Sequence, residues 1–152
     1  MNLEDLQESW ANDCVIDDDH LDKESVRTPN LHAKYLNYLI SFKLKVAKAN
    51  KDYNTLRQKK FRYYRGEMGK GELEHEGWEQ WQGNKPLKNE MEEFLEGDNE
   101  LADAHLKIEY LSAIVSCLDS IMHQIKSRDW QIRNAVKYVC MILSVRLSTL
   151  VY

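Results

Sequence analysis

Outside one short stretch, this chain has no glycine. Its six glycines (Gly66, Gly69, Gly71, Gly77, Gly83 and Gly97) all lie between positions 66 and 97. There are two prolines, Pro29 and Pro86, and the second falls in the same stretch. Flanks without breakers and with helical periodicity exclude a turn-rich β architecture and predict an all-α protein. Cysteine is scarce and odd in number: Cys14, Cys117 and Cys140, with no CxxC spacing. That excludes a disulfide framework and makes a reducing cytosol the expected setting. Cys117 and Cys140 lie in apolar helical runs and read as small core hydrophobes. The five histidines are scattered, with no i, i+4 pair to hold a metal on a helix. There is no GxxxxGK[ST] loop and no GxSxG elbow. Gly66-Glu-Met-Gly69-Lys-Gly71 follows a helix rather than a strand and reads as a hinge. Paired acids sit in solvated, highly charged runs. No catalytic constellation emerges, so an enzyme, a metal and a cofactor are not expected. The start, MNLEDLQESW, is acidic and amphipathic rather than a signal peptide. The apolar C-terminal run is interrupted by Lys137 and Arg146, so no membrane span is expected.

The most informative scarcity is of negative charge between Lys43 and Lys70. Ten of the chain's 21 Lys and Arg residues fall there, opposed only by Asp52 and Glu67. The stretch carries +8 inside a chain of net charge −4. Charge distribution reports on partners where net charge reports on solubility. Tyr53, Phe61, Tyr63 and Tyr64 are interleaved with these cations. Cations to follow a phosphate backbone and rings to stack on bases are the requirements of single-strand binding.

The periodicities place this stretch on a helix. Asn2 caps a short first helix with an apolar stripe of Leu3, Leu6 and Trp10, ended by Asp17-Asp18-Asp19. Thr28-Pro29 opens the second helix, with Thr as N-cap and Pro in the first helical position. Its stripe runs Leu31, Tyr35, Tyr38, Phe42, Val46, Ala49, Tyr53 and Leu56, to about Tyr64. Residues 66–97 form an acidic linker with short helical or extended pieces. There Trp78 and Trp81 either pack on the body of the protein or meet a partner. A second long helix begins near Asp98, with Ile108, Leu111, Val115, Leu118, Met122 and Ile125 on its stripe. Ser127-Arg128-Asp129 breaks or bends it. Beyond that, Val139–Leu143 is apolar on every face and needs cover that one small protomer does not offer. The expected organisation is a bundle of long, coiled-coil-like helices. Residues 1–97 would carry the basic helix (about 29–65) and the linker (66–97), and residues 98–152 would carry a C-terminal oligomerisation helix. The candidate self-association residues are Trp130, Ile132, Val136, Val139, Leu143, Leu147 and Leu150.

The candidate DNA-binding residues are Arg57, Lys59, Lys60, Arg62, Tyr63, Tyr64 and Arg65. Intrahelical counterions at i+3 and i+4 are nearly absent, so these like charges call for a compensating polyanion. Nucleic acid is one answer. An acidic protein surface, including the chain's own acidic segments, is the other. Tyr63 and Tyr64 either stack on bases or pack the helix.

With these residues in view the chain resembles the UvsY-type recombination mediators of T-even-like bacteriophages. Leu3-Glu4-Asp5-Leu6-Gln7-Glu8, Val15-Ile16-Asp17 with Leu21, and Ala33-Lys34-Tyr35-Leu36-Asn37 are similar to the N-terminal segments of that family. The family's basic motif, Leu-Lys-Ala-Arg-Leu-Asp-Tyr-Tyr-Ser-Gly, is met by Arg57-Gln58-Lys59-Lys60-Phe61-Arg62-Tyr63-Tyr64-Arg65-Gly66. Gln124-Ile125-Lys126-Ser127-Arg128-Asp129 resembles its Ala-Ile-Lys-Ser-Arg-Gly. Gln58 stands where the motif has Lys, and Lys59 and Arg62 add cations where it has Ala and Asp. The resemblance implies a non-enzymatic protein of the host-cell cytoplasm that binds single-stranded DNA as a ring-like homo-oligomer, a hexamer or similar. It further implies that the protein helps displace the phage single-strand DNA-binding protein and loads a RecA-like recombinase, with no membrane partner. The alternative is a coiled-coil scaffold or adaptor whose basic helix binds an acidic protein.

Overall fold

The computed structural model describes residues 1–149, with side chains as far as Arg146. Five α-helices follow in order: α1 (Leu3–Asp13), α2 (Leu21–Tyr64), α3 (Lys70–Glu76), α4 (Met91–Glu96) and α5 (Asn99–Thr149). No strand occurs among the described residues. The all-α expectation holds. The chain divides into two compact units, residues 1–42 with 114–152 and residues 43–113. Each unit takes one piece of α2 and one piece of α5, so the units cut across the 97/98 boundary expected from the glycine distribution.

In the first unit, Asn2 and Asp5 form a reciprocal capping box at the start of α1, satisfying two backbone donors. The helix stops at Asp13, before the acidic triplet. The second helix does not open at Thr28-Pro29. It starts at Leu21, and Pro29 lies inside it. An interior proline forfeits one backbone hydrogen bond, but tertiary contacts hold the turns before it. Glu24 pairs with Arg128, and Arg27 reaches Asp13 at 3.1 Å. The Thr28 hydroxyl, expected to cap, donates instead to the Glu24 carbonyl (3.1 Å).

Arg128 is 3% exposed. It donates to the carbonyls of Cys14 (2.8 Å) and Val15 (3.1 Å) as well as to Glu24. This ties the loop after α1 to α5, and α5 runs unbroken through Ser127–Asp129. The buried stripe of the unit is Leu31, Tyr35, Leu39 and Phe42 from α2 with Ile114, Leu118, Ile121, Ile125 and Ile132 from α5. Trp10 packs edge-on against Tyr35 at 5.3 Å and donates to Gln124 (3.1 Å). Burial and the hydrogen bond to Asp13 push the Tyr35 hydroxyl up to about 12.

In the second unit α2 and α5 run antiparallel, since Tyr53 meets His105, Lys60 meets Glu100 and Tyr64 meets Asp98. Its core is Tyr64, Met91, Leu95 and Leu101, backed by Tyr53, Leu56, Tyr63, Trp81 and Phe94. Gly66 takes a left-handed φ of +68°, which glycine adopts without steric cost. The N–H of Glu67 then bonds back to the Arg62 carbonyl (3.0 Å). This turn reverses the chain and lays the acidic stretch beside the last turns of α2.

Candidate nucleic-acid interface

The basic motif forms the C-terminal end of α2, and every cation in it has a carboxylate partner. Arg57 meets Glu92 at 2.6 Å, Lys59 meets Glu76 at 2.5 Å, and Arg65 meets Glu67 at 2.8 Å. Arg62 holds Glu72 with two hydrogen bonds of 3.0 Å each. Those bonds, with one from the Gly69 N–H, hold the Glu72 carboxyl below its usual range. The counterions missing along the helix are thus supplied across space by the chain's own acidic segments. The Arg57, Lys59, Arg62 and Arg65 side chains remain 39–52% exposed.

Lys60 is different. It is 5% exposed, lies 3.1 Å from both Asp98 and Glu100, and sits 4.2 Å from the centroid of the Trp78 ring. Asp98 also accepts from the Tyr64 hydroxyl (2.7 Å) and from the Leu101 N–H (3.1 Å), the latter capping α5. Burial works to raise the Asp98 carboxyl. The bonds from Tyr64, Leu101 and Lys60 outweigh it and hold the group below its ordinary 3.8. Burial and the same hydrogen bond push the Tyr64 hydroxyl well up. A buried charge is tolerated only when paired and hydrogen-bonded, and this node meets both conditions.

In this conformation Lys60, expected to meet phosphate, and Tyr64, expected either to stack on a base or to pack the helix, both lie in the core of the unit. Tyr63 is half-buried, its ring 5.3 Å from Tyr64 and from Trp78. Trp78 donates to Glu100 (2.9 Å), and Trp81 packs edge-on against Tyr64 at 5.0 Å. Both tryptophans pack on the body of the protein. The exposed ring of the motif is Phe61, at 38%. Phe61 was counted among the rings of the basic stretch, but the pairing of that stretch's cations with Asp98, Glu100 and Glu72 was not visible in the sequence. The Asp98 position before a long helix was a visible capping signal, but its pairing with Lys60 needed the fold.

The self-association candidates lie in the first unit. Ile132 is 4% exposed and belongs to the core. Trp130 (66%), Val136, Val139 and Leu143 are exposed, together with Tyr138, Met141 and Val145. The Leu147 side chain and Leu150 lie outside the described residues. No cluster of potential metal ligands occurs among the described residues, and no described helix is long and apolar enough to cross a membrane.

Three comparisons relate the chain to known proteins. A curated relative, the recombination protein uvsY of Enterobacteria phage T4, is 25% identical over 134 residues, covering 88% of this chain and 92% of its own. Crystal structures of the bacteriophage T4 recombination mediator protein UvsY share the fold. One has a TM-score of 0.81 at 24% identity, covering 94% of this chain and 98% of that one. A second lattice form also gives 0.81, at 23% identity, with 93% and 99% covered. The family model described as "Recombination, repair and ssDNA binding protein UvsY" matches residues 9–142, and the chain belongs to that family.

Proposed function

We propose that this chain is a non-enzymatic recombination mediator of the host-cell cytoplasm. It binds single-stranded DNA as a homo-oligomer and promotes loading of a RecA-like recombinase in place of the single-strand DNA-binding protein. The observation that carries the reading is the exposed face of α2. Arg57, Arg62 and Arg65 there pair only with exposed carboxylates, Glu92, Glu72 and Glu67, while Lys59, on the opposite side of the helix from Arg57, pairs with the half-buried Glu76. Exposed ion pairs contribute little, so a polyanion that also releases its own counterions can displace them.

Assembly is supported by the exposed apolar run from Trp130 to Val145. Covering one such side chain contributes about 1.5–3 kcal/mol. Contiguous exposed patches of this kind on a soluble chain mark interaction surfaces. Identical protomers side by side would align their basic faces, and binding at one would raise the effective concentration at the next. A strand bent along such a track is a poorer substrate for the protein already coating it, which supports the loading role.

The test is a mass measurement in solution with and without single-stranded DNA, together with a salt titration against single strand and duplex of equal length. The reading expects a closed oligomer, preference for the single strand and steep salt dependence. Weak binding that is blind to strandedness would favour the scaffold alternative.

A further inference from the structure

We propose that Phe61 is the base-stacking platform of the DNA-binding face, and that Lys85 and Lys88, on the segment between α3 and α4, hold phosphate beside it. This rests on the reading that the chain binds single-stranded DNA. It chooses one ring of the motif over the two tyrosines and adds two cations that lie outside the motif.

The ring is placed for it. Arg57, Phe61 and Arg65 follow at i, i+4 and i+8, so they form one line on one face of α2. Arg65 stands over the ring, 5.6 Å from its centroid. Phe61 is also the side chain shared by two grooves. One, of about 570 Å³, is lined by Arg57, Gln58, Arg62 and Glu92. The other, of about 440 Å³, is lined by Arg65, Glu67, Lys85, Pro86 and Lys88. Cations outnumber carboxylates in both, two to one in the first and three to one in the second.

Lys85 and Lys88 make no ion pair among the described residues, unlike every cation of the motif, so nothing within the chain must be displaced before they bind. The turn at Gly66 brings the lysine in: a Cβ built there would lie 3.4 Å from Lys85 Cε. Tyr63 and Tyr64, the other rings of the motif, are already packed among Trp78, Trp81 and Phe94.

The occupant is a single strand rather than an acidic peptide. A strand alternates phosphate with flat base, which matches an exposed ring flanked by cations on both sides. A run of carboxylates uses the cations and leaves the ring unused. Stacking on an aromatic side chain is also tolerant of sequence, as a face without a groove-reading helix requires.

The experiment uses the full chain and two labelled strands of equal length, oligo-dT and the same backbone with abasic sites in place of bases. Binding is followed by fluorescence anisotropy across a salt series. The parent protein should prefer oligo-dT. Phe61→Ala should lower oligo-dT affinity by about 5- to 150-fold and leave the abasic strand unchanged. Phe61→Leu, which keeps apolar bulk and loses the ring, should also lose the preference, and circular dichroism checks that both variants fold. Lys85→Ala with Lys88→Ala should weaken both strands and lower the log–log salt slope by about 1.4, at about 0.7 per single-strand phosphate. A Phe61→Leu protein that keeps the parent's preference overturns the proposal, as does an unchanged slope in the double lysine variant. Polyglutamate bound as tightly as oligo-dT, indifferent to Phe61, overturns it in favour of an acidic peptide. A parent that binds neither strand removes the single-strand reading itself, a result distinct from all of these.

Discussion

Lys60→Ala separates a structural lysine from a DNA-contacting one. Lys60 is buried, and its removal leaves the Asp98 carboxylate, 7% exposed, without its cation. Breaking a buried pair from one side costs about 3–5 kcal/mol. Asp98 keeps the Tyr64 hydroxyl and the Leu101 N–H, and the Glu100 side chain is 50% exposed, which places the pair loss at the lower end. The ammonium over the Trp78 ring, at 4.2 Å, adds about 0.5–2 kcal/mol. The expected destabilisation is about 3.5–5 kcal/mol, measured by urea denaturation followed by helical circular dichroism. Arg57→Ala is the control: it removes an exposed pair, worth about 0–1 kcal/mol. In oligonucleotide binding under conditions where both variants are folded, the order reverses. Arg57→Ala should lower the salt slope by about 0.7, and Lys60→Ala should leave it unchanged. A Lys60→Ala protein within 1 kcal/mol of the parent in stability, with a salt slope reduced by about 0.7, would refute the reasoning. Lys60 would then leave the core to meet phosphate.

Three further outcomes are expected. Glu72→Gln, Glu76→Gln and Glu92→Gln together remove partners of Arg62, Lys59 and Arg57, so single-strand affinity at low salt should rise several-fold; unchanged or weaker binding would mean these carboxylates do not compete with phosphate. Asp98 has a folded pKa below its ordinary 3.8, so its contribution to stability is complete above that pH and is lost as pH falls through the lower folded value. Urea midpoints measured from about pH 5 to about pH 2 should therefore fall more steeply for the parent than for Asp98→Asn, and parallel curves would contradict this. Deleting the residues from Val139 onward should dissociate the oligomer by sedimentation and weaken binding to long single strands while leaving the second unit folded. A truncated protein of unchanged size would place the interface outside the deleted segment.

Local chemistry made much of this protein legible without a structure. Periodicity along Leu31–Leu56 and Ile108–Ile125 is repeated many times over, so the helices and their buried faces follow from side-chain spacing alone. The Asn2 cap and the helix start after Asp98 are nearest-neighbour effects and were equally readable. The fate of Pro29 was not, because the contacts that carry the helix past it come from Arg128 and Asp13, both distant in sequence. The basic motif shows the same division. Its composition alone marked a segment that calls for opposite charge, since charge and ring content need no fold to be counted. Which cation faces solvent was a different matter. Lys60 and Arg62 stand two residues apart and look equivalent in the sequence, but one points into the aromatic core beneath Trp78 and the other outward to Glu72. The turn at Gly66 and the return of α5 past α2 decide that difference. Electrostatic partnership depends on distance in space, and only packing sets those distances.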